Sequence, residues 1–189
     1  MIFVTTGTQL GFPRLVQAVA RIAQETGERL VIQTPDALTD LAGLEQHTDL
    51  PPDAFDGLVS QARIVVAHAG VGSTLDAARL GKLLVILPRR HELGEHRNDH
   101  QMATARHLAG RFANVRVAWS EQDLSAMIAD IPETTGNEAI QQGDLVHWLA
   151  RVIQSPDFAR RTLVNRLIAR VTRRERPVPQ ESAGPLTGH

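Results

Sequence analysis

The 189-residue chain contains no cysteine, which excludes a disulfide framework and any thiolate metal site and suits a reducing compartment. A secretory signal is also missing: residues 1–4 are apolar, but no basic stretch precedes them and Thr5-Thr6-Gly7-Thr8 follows at once. No apolar run approaches the roughly 18 residues that a membrane span needs. The formal net charge is only -1, so nothing global points to nucleic acid. These absences lead us to expect a cytoplasmic protein, or one held peripherally at the inner face of a membrane. What remains is ordinary for a globular protein, 42% hydrophobic and 22% charged, with enough length for one well-buried domain and an appendage.

Charge is distributed unevenly. Residues 1–150 carry 12 basic and 18 acidic side chains, whereas residues 151–189 carry 8 and 3, and all eight are arginine. The C-terminal segment is chemically a different object from what precedes it.

Hydrophobic periodicity alternates between strand and helix. A strand at 2–4 leads into small residues, Thr5 to Thr8, whose backbone N–H groups can approach a ligand closely. Pro13 suits a first helical turn, Leu15, Val16, Val19, Ile22 and Ala23 recur at helical spacing, and Gly27 stops that helix. A second strand occupies 30–33. Between 34 and 52, Pro35, Asp36, Asp40, Gly43 and Pro51-Pro52 break any long element, so we expect a loop with one short strand or helix, then a helix over 53–61. The run 64–67 meets a glycine turn at Gly70 and Gly72, with Ser73 or Thr74 as N-cap of a helix reaching Leu80. A further strand at 83–87 ends at Pro88. A helix over 99–110, a strand over 115–119 and a Ser120-capped helix ending before Pro132 complete the pattern. Without hairpin signals, this alternation predicts an α/β fold over residues 1–132, with a mostly parallel sheet covered on both faces. A helical extension over 133–176 includes a basic amphipathic helix, and 177–189 is expected to be disordered.

Three loops would meet at the carboxyl edge of that sheet. Residues 5–8 and 70–74 offer backbone donors, and Arg89-Arg90 offer fixed charge, a combination suited to a diphosphate. Taken alone the glycine turn is weak, because it has no P-loop lysine and serves helix packing equally well. Asp76, one turn into the helix, either accepts hydrogen bonds from ribose hydroxyls or is a favourable charge near a helix N-terminus. His91, Glu92, Glu95, His96 and His100 crowd one loop, but their spacing matches neither zincin signature. A polar loop over a sugar, using Asn98, His100 and Gln101, accounts for the composition better than a metallohydrolase; a plain solvated loop stays open. His68 is either held by backbone hydrogen bonds or does acid-base work. Arg160, Arg161, Arg166, Arg170, Arg173 and Arg174 flank the stripe Leu163, Val164, Leu167, Ile168 and Val171. That helix docks on a partner, lies on anionic lipid, or packs its stripe on the domain; with only Phe158 as an aromatic anchor, charge adhesion is favoured over insertion.

Taken together, Val4-Thr5-Thr6-Gly7-Thr8-Gln9 with Phe12 and Leu15-Val16, His68-Ala69-Gly70-Val71-Gly72-Ser73-Thr74-Leu75-Asp76-Ala77, Leu80-Gly81-Lys82, Pro88-Arg89, and Glu95 through Asn98 to His100-Gln101 carry a resemblance. In order and spacing they resemble the C-terminal, donor-binding domain of the GT-B glycosyltransferases grouped as family 28. Within it, the chain is most similar to free-standing short subunits of lipid-linked N-acetylglucosamine transferases and of bacterial exopolysaccharide glycosyltransferases. The Met-Ile-Phe-Val-Thr-Thr-Gly-Thr motif stands at the N-terminus, where a full enzyme would place an acceptor domain first, so completion in trans is expected.

The resemblance implies one half of a GT-B fold, Rossmann-like and doubly wound, with the C-terminal helical extension outside the match. It implies a UDP-sugar site at Gly7, Thr8, His68, Gly70, Gly72, Ser73, Thr74, Asp76, Arg89, Glu95, Asn98, His100 and Gln101, Asp76 standing where many relatives carry glutamate. It further implies inverting hexosyl transfer without metal or other cofactor, and a membrane-associated acceptor-binding partner that supplies the general base and a lipid-linked or exopolysaccharide acceptor. The alternative is a non-catalytic nucleotide-binding or scaffolding subunit of a polysaccharide assembly complex.

Overall fold

Four of the six strands are buried on both sides along nearly their whole length, as a parallel sheet covered by helices requires. The computed structural model describes residues 1–36 and 44–131. The chain divides into two compact units, Met1–Ala150 and Arg151–His189, and every described residue lies in the first. The expected boundary after 132, the expected helical extension, the six arginines named on its basic helix and the C-terminal tail lie outside the described residues.

The elements run β1 (Ile2–Thr5), α1 (Pro13–Thr26), β2 (Leu30–Gln33), β3 (Glu45–His47), α2 (Pro52–Gln61), β4 (Ile64–His68), α3 (Val71–Arg79), β5 (Leu84–Leu87), a 3-10 turn (His91–Leu93), α4 (His100–Leu108), β6 (Val115–Val117) and α5 (Glu121–Asp130). The sheet order is β3-β2-β1-β4-β5-β6, and all five pairings are parallel. The element expected between 34 and 52 is thus the edge strand β3.

Alternation along the strands assigns the faces. Ile2, Val4, Leu30, Ile32, Ile64 and Val66 point to one side and share a core with α1 and α5 through Leu15, Val16, Val19, Leu124 and Ile128. Phe3, Val31, Val65 and Ile86 point to the other and pack with α2, α3 and α4 through Phe55, Val59, Ala77, Ala105 and Leu108. Phe3 and Phe55 meet edge to face, 5.2 Å between ring centroids.

One helix boundary corrects the expectation and another meets it. The helix after the glycine turn starts at Val71, so neither Ser73 nor Thr74 is its N-cap; Thr74 is fully buried and its Oγ1 donates to the Gly70 carbonyl at 2.9 Å. Ser120, by contrast, caps α5: its Oγ accepts the Asp123 N–H and the Asp123 carboxylate accepts the Ser120 N–H, both at 3.1 Å.

At the amino edge of the sheet Arg63 grips Glu28 through two hydrogen bonds of 2.7 and 2.6 Å and donates to the Ile131 carbonyl at 2.8 Å. It therefore ties the start of β4 to the turn before β2 and to the end of α5. Both side chains are largely buried, so removing Arg63 leaves Glu28 with the N-terminal ammonium, 2.9 Å away, as its remaining partner and frees the Ile131 carbonyl. Arg63→Met is expected to lower stability by about 3 kcal/mol at neutral pH, measured by urea unfolding.

Candidate functional site

The chain runs outward from β1 through β2 to β3, then returns to β1's other side with β4 and continues outward. The switch point therefore lies between the carboxyl ends of β1 and β4, where Thr5 is in register with Ala67. The loops leaving these two strands lead to helices on opposite faces of the sheet, α1 and α3, and part above the strand ends. Open α/β sheets bind ligands in this crevice. Two surface hollows lie elsewhere, one between α1 and α5 and one beside the start of β2, and neither includes a residue of the loops after β1, β4 or β5.

His68 closes the floor of the crevice. A Cβ on Gly7 would stand 3.0 Å from His68 Cε1, and one on Gly70 would stand 2.2 Å from Nε2, so the ring occupies the space that side chains there would fill. Gly7 also has a φ of 80°, which disfavours any other residue. The residue keeps some accessible surface, yet Nδ1 is buried without a hydrogen-bond partner. Burial, reinforced by the Arg89 charge, lowers the imidazole pKa to about 4, against a small opposing pull from the Thr5 backbone. His68 is neutral at pH 7.

The loop between β1 and α1 is fastened from both sides. Arg89, 3% exposed at the end of β5, donates from Nη2 to the carbonyls of Thr6 at 3.0 Å and Gly11 at 3.2 Å, and also to that of Leu10. Its guanidinium lies over the Phe12 ring, 5.0 Å from the centroid. From the other side Asp36 Oδ2 accepts the Phe12 N–H at 2.8 Å and the Thr34 hydroxyl at 3.2 Å, and Thr6 donates to Thr34 at 2.9 Å. Gly11 makes room for this, since a Cβ there would overlap Asp36 Oδ1 at 1.6 Å. Asp36 and Gly11 are not among the residues expected at the site; the signal available in the sequence is an acid just past the end of the second strand, where dinucleotide-binding folds hold a ribose.

Several expected ligand contacts are already engaged within the protein. Arg89 lies beneath the loop, where it was expected to face a phosphate. Glu95 accepts two hydrogen bonds from Arg14, at 2.6 and 2.8 Å, and the Arg90 N–H at 2.8 Å, which fixes the loop after β5 to the first turn of α1. Gln101 is buried, with Oε1 accepting the Arg89 N–H at 3.1 Å. Asn98 Oδ1 accepts the His100 N–H at 3.3 Å, and His100 itself is exposed at the start of α4. Asp76 is half-buried, 3.7 Å from Arg79. Gly72 and Ser73 lie in the first turn of α3, and Thr8 is exposed on the loop after β1. Among the described residues no three His, Asp or Glu side chains converge as a metal site, the 91–100 loop included, and no helix is long and apolar enough to cross a membrane.

A family model described as the glycosyltransferase family 28 C-terminal domain matches residues 1–140. The chain is 30% identical over 109 residues to a protein of Yarrowia lipolytica called UDP-N-acetylglucosamine transferase subunit ALG13, a match covering 56% of this chain and 50% of that protein. The chain thus spans about half the length of that relative. Among solved structures, the spinosyn forosaminyltransferase SpnP superposes with a TM-score of 0.55 at 17% identity, over 90% of this chain and 43% of that one. The UDP-GlcNAc 2-epimerase of Methanocaldococcus jannaschii superposes with a TM-score of 0.52 at 10% identity, over 80% of this chain and 44% of that one. At these identities the two structures share the fold.

The enclosed imidazole sets a pH dependence. With a folded pKa of about 4 against an ordinary 6.5, the unfolded chain takes up the proton first as pH falls. Stability is therefore complete above pH 6.5 and declines toward pH 4. Between pH 6.5 and about 5, before carboxylates titrate, the loss is expected to reach about 2 kcal/mol. Urea midpoints across that range should fall in the wild type and fall less in His68→Gln, where His107, its pKa also lowered by desolvation and the Arg111 charge, remains.

Proposed function

The chain belongs to the glycosyltransferase family 28 C-terminal domain family, and from that premise we propose that it is the UDP-sugar-binding subunit of a two-component inverting glycosyltransferase. The observation that carries this reading is the pairing, across the β1/β4 switch point, of a clamped glycine loop and a helix N-terminus on either side of His68. Both offer backbone N–H groups, and the α3 dipole adds partial positive charge, which together suit a diphosphate without a metal ion. The similarity to a curated UDP-N-acetylglucosamine transferase subunit supports UDP as the nucleotide and a partner chain as the other half.

In the proposed reaction an acceptor hydroxyl oxygen bonds to the sugar's anomeric carbon from the face opposite the diphosphate. The bond from that carbon to the diphosphate oxygen breaks, so configuration inverts and UDP leaves with the electron pair. Loop and helix amides meet the charge that develops on UDP. Asp76 stands one turn up α3, on the side proposed for the ribose. The acceptor hydroxyl's proton passes to a base on the partner, for which we propose a membrane-associated chain that presents a lipid-linked or exopolysaccharide acceptor and holds this subunit at the membrane's cytoplasmic face. Leu10 and Leu93, exposed by 41% and 54%, stand on the loops after β1 and β5, where a second domain closing over the crevice would cover them.

UDP added in the presence of EDTA should stabilise the protein by about 2.7 kcal/mol at a hundredfold excess over Kd, read as a higher unfolding midpoint. Gly70→Ala, which forces a Cβ against His68, should abolish that protection while leaving the protein folded. No protection by UDP or a UDP-sugar, alone or with a copurifying partner, would discard the reading.

A further inference from the structure

Arg89 is a buried cation for which the described residues supply no carboxylate within ion-pair distance. Glu95 and Asp36 act on it only from farther away, and its Nε is buried without a hydrogen-bond partner. A guanidinium taken out of water in this way is costly unless its charge is met. What meets it is one loop: the carbonyls of Thr6, Leu10 and Gly11, and the face of Phe12. With those carbonyls turned to the cation, the amides of Thr8, Gln9, Leu10 and Gly11 have no acceptor among the described residues, although the amides on either side do: Gly7 donates to Thr5 Oγ1 and Phe12 to Asp36. Residues 8–10 are exposed. A run of unpaired N–H groups on an exposed loop above a buried cation offers an anion several donors, with positive potential beneath them.

We propose that Arg89 is a positioning residue: it holds the loop's carbonyls beneath the site so that the N–H groups of residues 8–11 bind a nucleoside diphosphate, whose charge Arg89 meets without touching it. This rests on the function proposed above but differs from a direct phosphate contact, in which the guanidinium itself would be the donor. It also explains why the neighbouring Gln101 side chain is spent on the Arg89 N–H: the residue is anchored at both its backbone and its tip.

Two measurements on the full chain decide it. In the wild type, titration with inorganic pyrophosphate should shift the amide proton resonances of residues 8–11 downfield more than the Arg89 side-chain N–H resonances; the reverse order overturns the proposal in favour of direct contact. By calorimetry, Arg89→Met should weaken UDP about 20-fold while leaving the weaker affinity for uridine unchanged, and Arg89→Lys should recover only part of the loss, because the shorter lysine side chain has no planar group to lie over the Phe12 ring. Equal UDP affinity in wild type and Arg89→Met overturns the role of Arg89 and leaves the UDP site standing. A wild type that binds neither UDP nor uridine overturns both. Should Arg89→Met not fold, the wild-type resonance shifts still decide between the two roles.

Discussion

The position of β1 between β2 and β4 is the constraint on which the rest of this structure depends. Its three consecutive apolar residues send Ile2 and Val4 into one core and Phe3 into the other, so β1 is buried on both faces and can only be central. Once it is central, the helices that follow β1 and β4 must cover opposite faces. Their entry loops separate, and a crevice opens above Thr5 and His68 without any residue being dedicated to making it. The hydrophobic pattern of the strands thus determines where a ligand can go, before any polar group is considered.

Polar groups then hold the rim in one arrangement. Thr5 with Gln33, Thr6 with Thr34, and Asp36 with the Phe12 N–H connect the ends of β1 and β2 to the loop between β1 and α1. Arg89 ties the same loop to β5, and Arg14 ties α1 to Glu95 and to the Pro88 carbonyl at 3.0 Å. Burial opposes the charge on Arg14, but the Glu95 hydrogen bonds and charge outweigh it. Donors fixed in advance cost little reorganisation when an anion arrives, which is where a binding loop gains over a flexible one.

Much of this was legible in the sequence because it depends on local chemistry. Strand alternation, Pro13 and Gly27 around α1, and the Ser120-Glu121-Gln122-Asp123 cap were all read from neighbours in the chain. Less legible were the contacts that join residues distant in sequence. Glu95 looked like part of a histidine-rich ligand loop, but its partner is Arg14, far upstream. Arg89 looked like a phosphate ligand because a charged residue after a strand is usually exposed, and only the fold shows it turned beneath a loop. Gly11 carries no motif and Asp36 only its place just past the second strand, and their connection exists only where β1 and β2 end side by side.

The charges at the crevice have one consequence for chemistry. Glu95 is held by Arg14, Asp36 by the Phe12 N–H and the Thr34 hydroxyl, and Asp76 lies beside Arg79. His68 is enclosed and, with a pKa of about 4, is too weak a base to take a hydroxyl proton effectively at neutral pH. The same burial and the same Arg89 charge that weaken it as a base keep it from adding a second cation beneath the loop. The groups at the floor of the crevice are therefore built to receive negative charge and poorly built to remove a proton. On the function proposed, that asymmetry divides the labour between chains: departure of the diphosphate is managed here, and deprotonation of the acceptor falls to the half that binds it.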